Sequence, residues 1–179
     1  MLQWLRRFFS GGGSQPVLHP LIQQSRSDDP VEREAAAVSL GEIRELWAIE
    51  TLFRLLTDIS TPVRIAGRAA LKRQESFVMP ALIDGLKHAR IEVSVVCAEL
   101  LGELRPPEAI DPLIISLKYA ERPVQLAARR SLEKFGTIAV PQLKAVINET
   151  QPWVQNQIIA ILAVIELQAP ADNTTIVGD

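Results

Sequence analysis

Few side chains in this sequence have the types and spacings that catalysis needs. His88, Ser94 and Cys97 stand close along the chain and could be drawn as a nucleophile with its base, because a thiol or hydroxyl needs a neighbouring proton acceptor to attack. Cys97, however, falls in a column of small residues between helices, where a buried packing thiol is expected instead. Glu99 and Glu103, one helical turn apart, could share acid and base roles. Beside Arg105 they read instead as an exposed charged face. His19 and His88 are the only histidines. No His/Cys cluster has zinc spacing, and no glycine loop follows a strand to cradle phosphate. The sequence assigns no catalytic residue, no metal ligand and no cofactor.

Side chains suited to binding are better represented. Arg33, Arg64, Arg68 and Arg129 occupy equivalent exposed columns, with Arg68 one turn after Arg64 and Arg130 beside Arg129. Guanidinium groups held this way can give charge-assisted hydrogen bonds to acidic side chains of a partner. The plainer alternative is a solvated face with pairs inside each helix. Trp153 is placed as an aromatic anchor and Ile159 as part of an apolar surface.

The elements that would position these residues follow from an internal repeat. Leu40, Leu71, Leu101, Leu132 and Leu162 recur at intervals of 31, 30, 31 and 30 residues, and Leu21, Leu52, Leu82, Leu113 and Leu143 each precede one of them by 19. Around both columns the apolar residues keep the three- and four-residue spacing of a helix face. Val63, Gly67, Ala70 and Leu71 share one such face, and Val93, Cys97, Leu100 and Leu101 share another. The position four before the second leucine is Ala36, Gly67, Cys97, Ala128 or Ile158, small in four of five repeats. Eight of the twelve prolines then acquire a role. Pro20, Pro80, Pro112 and Pro141 open the first helix of a repeat and Pro30, Pro62, Pro123 and Pro152 the second, where a missing N–H costs nothing. Each repeat is predicted to be a hairpin of two helices of about 10 to 14 residues. Asp28, Ser60, Thr61 and Asp111 are the expected caps.

The phrases running from Asp29-Pro30-Val31-Glu32-Arg33-Glu34-Ala35-Ala36 to Leu40-Gly41, and from Pro62-Val63-Arg64 to Ala70-Leu71, resemble short bacterial HEAT repeats of the phycobilisome-lyase class. The resemblance spans residues 16 to 167. It implies an all-α fold, a right-handed solenoid of about five HEAT-like hairpins whose second helices line the concave face. It departs from the pattern in two respects: the Val-Arg dipeptide occurs only in the second repeat, and glycine follows the leucine only at Gly41 and Gly102. It further implies a cyanobacterial protein-binding scaffold acting on phycobiliproteins or photosynthetic complexes. The alternative it carries is a bilin lyase subunit, or a chaperone-like relative, that positions a phycobilin for attachment.

Three segments follow: a leader over 1–15, the solenoid over 16–167 and a polar tail over 168–179. In the leader, Trp4, Leu5, Phe8 and Phe9 fill one arc of a helical wheel and Arg6 and Arg7 the other, ahead of a Gly11-Gly12-Gly13-Ser14 hinge. It could fold back over the first repeat, touch an anionic membrane weakly or enter a partner's groove. The last helix carries apolar residues round its cylinder, including Ile159, Ala160, Ala163 and Val164, whereas a terminal repeat needs a polar outer face. Self-association or a protein partner there is the expectation.

Composition agrees with binding over chemistry. Of 179 residues, 47% are hydrophobic and nine aromatic, and 19 basic against 21 acidic residues give a net charge of −2. That balance, without aromatics interleaved in a basic stripe, argues against nucleic acid. Charge is segregated, with seven acids and two bases over 28–50 but seven bases and three acids over 54–90. A single cysteine allows no internal disulfide, no apolar run is long enough to cross a bilayer, and no secretory leader is evident. A cytoplasmic protein is expected, with the leader as a route to peripheral membrane contact.

Overall fold

A computed structural model describes residues 19–168. The leader, with Trp4, Leu5, Arg6, Arg7, Phe8 and Phe9, and the tail from residue 169 lie outside the described residues. The chain forms five helical hairpins: α1 (Pro20–Gln24) with α2 (Pro30–Leu40), α3 (Leu46–Leu55) with α4 (Thr61–Arg73), α5 (Met79–Gly85) with α6 (Ile91–Leu104), α7 (Ile110–Tyr119) with α8 (Arg122–Phe135), and α9 (Val140–Val146) with α10 (Pro152–Gln168). No strand occurs among the described residues. The fold is an all-α solenoid, as the leucine columns predict.

All eight repeat prolines lie in the first turn of their helices, where φ is already suitable and no hydrogen bond is lost. Two local expectations need correction. α2 is capped by Asp29, whose carboxylate accepts from the Val31 N–H at 2.8 Å. Asp28 is therefore not the cap, Ser60 occupies the cap position of α4 without a side-chain bond, and Thr61 and Asp111 already lie inside their helices. Three of the first helices are also shorter than predicted, with five residues in α1 and seven each in α5 and α9, while α3 and α7 have the expected ten. Short 3₁₀ turns at Glu75–Val78 and Gly136–Ala139 take over the opening turn of α5 and α9, a common use of 3₁₀ geometry at helix ends.

The two leucine columns are the core. Leu40, Leu71, Leu101 and Leu132 are fully buried, as are Leu52, Leu82, Leu113 and Leu143. Leu21 and Leu162, the two terminal members, are only partly covered. That is expected where a stack of repeats ends and each repeat relies on neighbours for burial.

Successive even-numbered helices do not pack alike, and the residue after the leucine decides how they do. A Cβ on Gly41 would lie 3.0 Å from Ala70 Cα, and one on Gly102 would lie 2.7 Å from Ser131 Cα. So α2 meets α4, and α6 meets α8, along much of their length. The Ser131 hydroxyl, buried in that contact, donates to the Ala98 carbonyl at 2.7 Å. The equivalent residue in the second repeat is Lys72, which cannot fit such a contact. Accordingly α4 and α6 approach within 8 Å at only a few residues. Glu133 replaces the glycine in the fourth repeat, and α10 likewise stands further from α8 than the close pairs do.

Candidate functional site

The joint between α4 and α6 opens into a groove of about 970 Å³, floored by Leu56 and walled by Ile65, Ile91, Val95 and Val96. Its position follows from helix periodicity. Thr61, Ile65, Arg68 and Lys72 run down the facing side of α4, and Ile91, Val95, Glu99 and Glu103 down that of α6. The lower part of this seam is shut by ions: Arg68 Nη1 donates to Glu99 Oε2 at 2.6 Å, its Nη2 donates to Glu103, and Lys72 Nζ lies 2.9 Å from Glu103 Oε2. Burial works to raise the Glu103 carboxyl, and the bonds from Lys72 and Arg68 outweigh it, leaving the pKa below its ordinary value. Burial likewise weakens the Arg68 charge, yet Glu99 and Glu103 more than compensate. Glu99 and Glu103 are thus not an acid–base pair, and their partners are on α4 instead of Arg105.

The upper part of the seam is open and its mouth is rich in arginine. Arg64 Nη1 donates to the Asp58 and Ile59 carbonyls at 2.7 and 2.9 Å, and its Nη2 donates to Thr61 Oγ1 at 2.7 Å. Arg90, just before α6, donates to Thr57 Oγ1. Neither reaches a carboxylate among the described residues. Arg54 stands near by, its pKa lowered by burial and by the like charges of Arg26 and Arg90. Glu92 also lines the groove, whereas the nearby carboxylate of Asp58 is already engaged. It accepts from Arg33 Nε at 2.8 Å and Nη2 at 2.9 Å, and from the Ser60 N–H. The Arg33 bond, against the opposing effect of burial, holds its pKa below the ordinary 3.8.

The candidate binding residues therefore separate. Arg64 and Arg68 line the groove, but Arg68 is tied across the joint. Arg33 is not an exposed grip: it ties the loop between α1 and α2, through the Ser27 and Asp28 carbonyls, to the loop between α3 and α4, through Asp58. Arg129 pairs with Glu133 within α8 at 2.9 Å, and Arg130 beside it is exposed. Trp153 and Ile159 lie on α10, 41% and 54% exposed, with Leu167 at 86%. They are exposed apolar positions on the last helix and do not line the groove. Arg90, Ile65, Ile91 and Val95 were not singled out in the sequence. The available signal was Arg90 itself, a cation where the first two repeats have Asp29 and Ser60. Cys97 is fully buried, and burial pushes its thiol up to about 12. No cluster of three or more His, Cys, Asp or Glu residues able to hold a metal occurs among the described residues. No helix among them is long and apolar enough to cross a membrane.

A family model described as HEAT repeats matches residues 79–163, the last three hairpins. Residues 79–163 carry HEAT repeats. The first two hairpins keep the same buried leucine columns as the matched three, apart from the partly covered Leu21. Among solved structures, the complex of CpcE and CpcF of phycocyanin lyase from Nostoc sp. PCC7120 is similar at 23% identity and TM-score 0.46, covering 89% of this chain and 68% of that one. An engineered protein is similar at 21% identity and TM-score 0.41, covering 82% and 78%. A designed armadillo repeat protein is similar at 17% identity and TM-score 0.28, covering 81% and 98%. No match to a curated protein was found.

Proposed function

We propose that this HEAT array is a non-enzymatic protein-binding scaffold that receives its partner in the α4/α6 groove. The observation that carries the reading is the half-open joint, where an apolar wall and two arginines without carboxylate partners meet solvent. The partner class is phycobiliproteins or photosynthetic complexes, on the strength of the repeat phrases around Asp29–Gly41 and Pro62–Leu71. The test is retention of a purified phycobiliprotein on the immobilised chain, with and without Arg64→Glu combined with Arg90→Glu. Loss of retention with helicity intact supports the reading, and unchanged retention removes the groove from it. Arg68 is a poor choice for this test, because changing it also loosens the joint.

A bilin lyase subunit is the second reading, favoured by Arg64 and Arg90 standing at an apolar wall, where they could pair with the two propionates of a linear tetrapyrrole. The solenoid would then act mainly by positioning. Phycocyanobilin mixed with the chain should show a shifted visible band and transfer to an apo-phycobiliprotein. Absence of both ends this reading. Self-association through Trp153, Ile159 and Leu167 of α10 predicts a sedimentation coefficient that rises with concentration and ceases to do so in Ile159→Lys. Peripheral membrane contact by the leader predicts flotation with anionic liposomes that a chain starting at Gln15 loses.

A further inference from the structure

Resting on the scaffold reading, we infer that the α4/α6 groove takes a short acidic amphipathic helix of a partner protein, its carboxylates on Arg64 and Arg90 and its apolar stripe on Ile65, Ile91 and Val95. The polarity of the groove carries the argument. From mouth to base the seam presents two guanidinium groups bonded to carbonyl and hydroxyl oxygens but to no carboxylate, then aliphatic side chains, then the closed Arg68–Glu99–Glu103–Lys72 network. An occupant can therefore place acids at one end only. At the other end it would meet charges that are already paired.

Length and charge narrow the occupant further. From Ile91 to Glu99 a helix rises roughly 12 Å, so the open part of the groove accommodates about two turns of a partner helix. With Arg68 and Glu99 paired, the lining retains Arg64 and Arg90 against Glu92. The N-terminal ends of α4 and α6 lie at the same mouth and add their positive partial charge. Ile65 is 63% and Ile91 38% exposed, and an apolar stripe on the occupant would remove both from water. A nucleic acid fits less well. None of the lining residues is aromatic to stack a base.

The test uses the full chain and three short helical peptides that share one leucine stripe. They carry at one end a pair of glutamates, a pair of lysines or a neutral pair, and binding is read by fluorescence anisotropy. The glutamate peptide is expected to bind about ten-fold tighter than the lysine peptide, the scale of charge-assisted contacts at a partly desolvated site. Arg90→Glu should reverse that order, a gain for the lysine peptide that misfolding cannot produce. Ile65→Gln should weaken every peptide. Equal affinity for the three peptides, no binding by any of them, or an order unchanged in Arg90→Glu overturns the inference. So does full displacement of the glutamate peptide by a single-stranded oligonucleotide or by phycocyanobilin. Should the peptides fail while a phycobiliprotein is still retained, the inference falls and the scaffold reading stands. Loss of phycobiliprotein retention alone, with the peptide order intact, overturns the partner class and supports the inference.

Discussion

A side-chain carbon placed on Gly102 would lie 2.5 Å from the Ser131 hydroxyl and 2.7 Å from the Ser131 Cα, so α6 and α8 meet there almost backbone to backbone. Gly67, by contrast, has ordinary room, with Leu55 Cβ 3.6 Å from where its own Cβ would stand. The two glycines occupy helices, yet they answer to different constraints.

Gly102→Ala is expected to destabilise the fold by about 1–3 kcal/mol through overpacking, because the neighbour that must move is backbone. Gly67→Ala is expected to stabilise it by about 0.5–1 kcal/mol, since alanine restricts the unfolded chain and favours helix. Urea denaturation of both variants measures this, and shifts of the same sign would refute the contrast.

Arg68→Ala removes the centre of the ionic seam between α4 and α6. The groups are partly exposed, with side chains 31% and 35% accessible for Arg68 and Glu99, so the cost to global stability should be small, about 0.5–1 kcal/mol. The local effect should be larger. Amide hydrogen exchange in the lower halves of α4 and α6 should quicken while α8 is unchanged, and added salt should narrow the difference from wild type.

Asp58 supplies a pH dependence of definite sign. Its folded-state pKa is depressed, chiefly by the Arg33 hydrogen bond. Its contribution is therefore complete above its ordinary value of 3.8 and is lost as pH falls through the lower folded value. Asp58→Asn should lower stability at neutral pH and leave the variant with a shallower acid-side decline than wild type. Thermal midpoints between pH 7 and the acid limb measure it, and parallel profiles would show that Asp58 is not responsible.

Cys97 should be chemically silent in the folded protein. Burial raises its thiol to about 12, and a Cβ on Gly85 would come within 2.4 Å of its sulfur, so neither thiolate nor access is available. A disulfide reagent at mildly alkaline pH should react fully only in denaturant, with native-state labelling following the opening of the α5–α6 hairpin. Immediate stoichiometric labelling would contradict this packing.

The sequence made the fold legible because the fold is repetitive. Ten leucines at fixed offsets and eight prolines at helix starts define the hairpins without reference to any distant contact. Caps were less legible, since Asp28 and Asp29 are equally able to cap and only the backbone decides between them. The site was harder still. Placing Arg33, Arg64, Arg68 and Arg129 in equivalent exposed columns treats the repeats as equivalent, whereas Arg33 turns to Asp58 and Arg68 spans to the next repeat. Those choices depend on acids 25 to 35 residues away, which helical spacing does not predict. The departures at Lys72 and Glu133, where glycine is missing after the leucine, were visible in the sequence as irregularities in the motif. In the structure they are what separates the helices.

The alternation of Gly41, Lys72, Gly102 and Glu133 gives this array a mechanical period twice its sequence period. Repeats one and two pack closely as one block and three and four as another, so bending is expected to concentrate at the sparsely packed ionic seam between them. A single residue per repeat is thus expected to set where the stack is stiff and where it yields, a position outside the leucine columns.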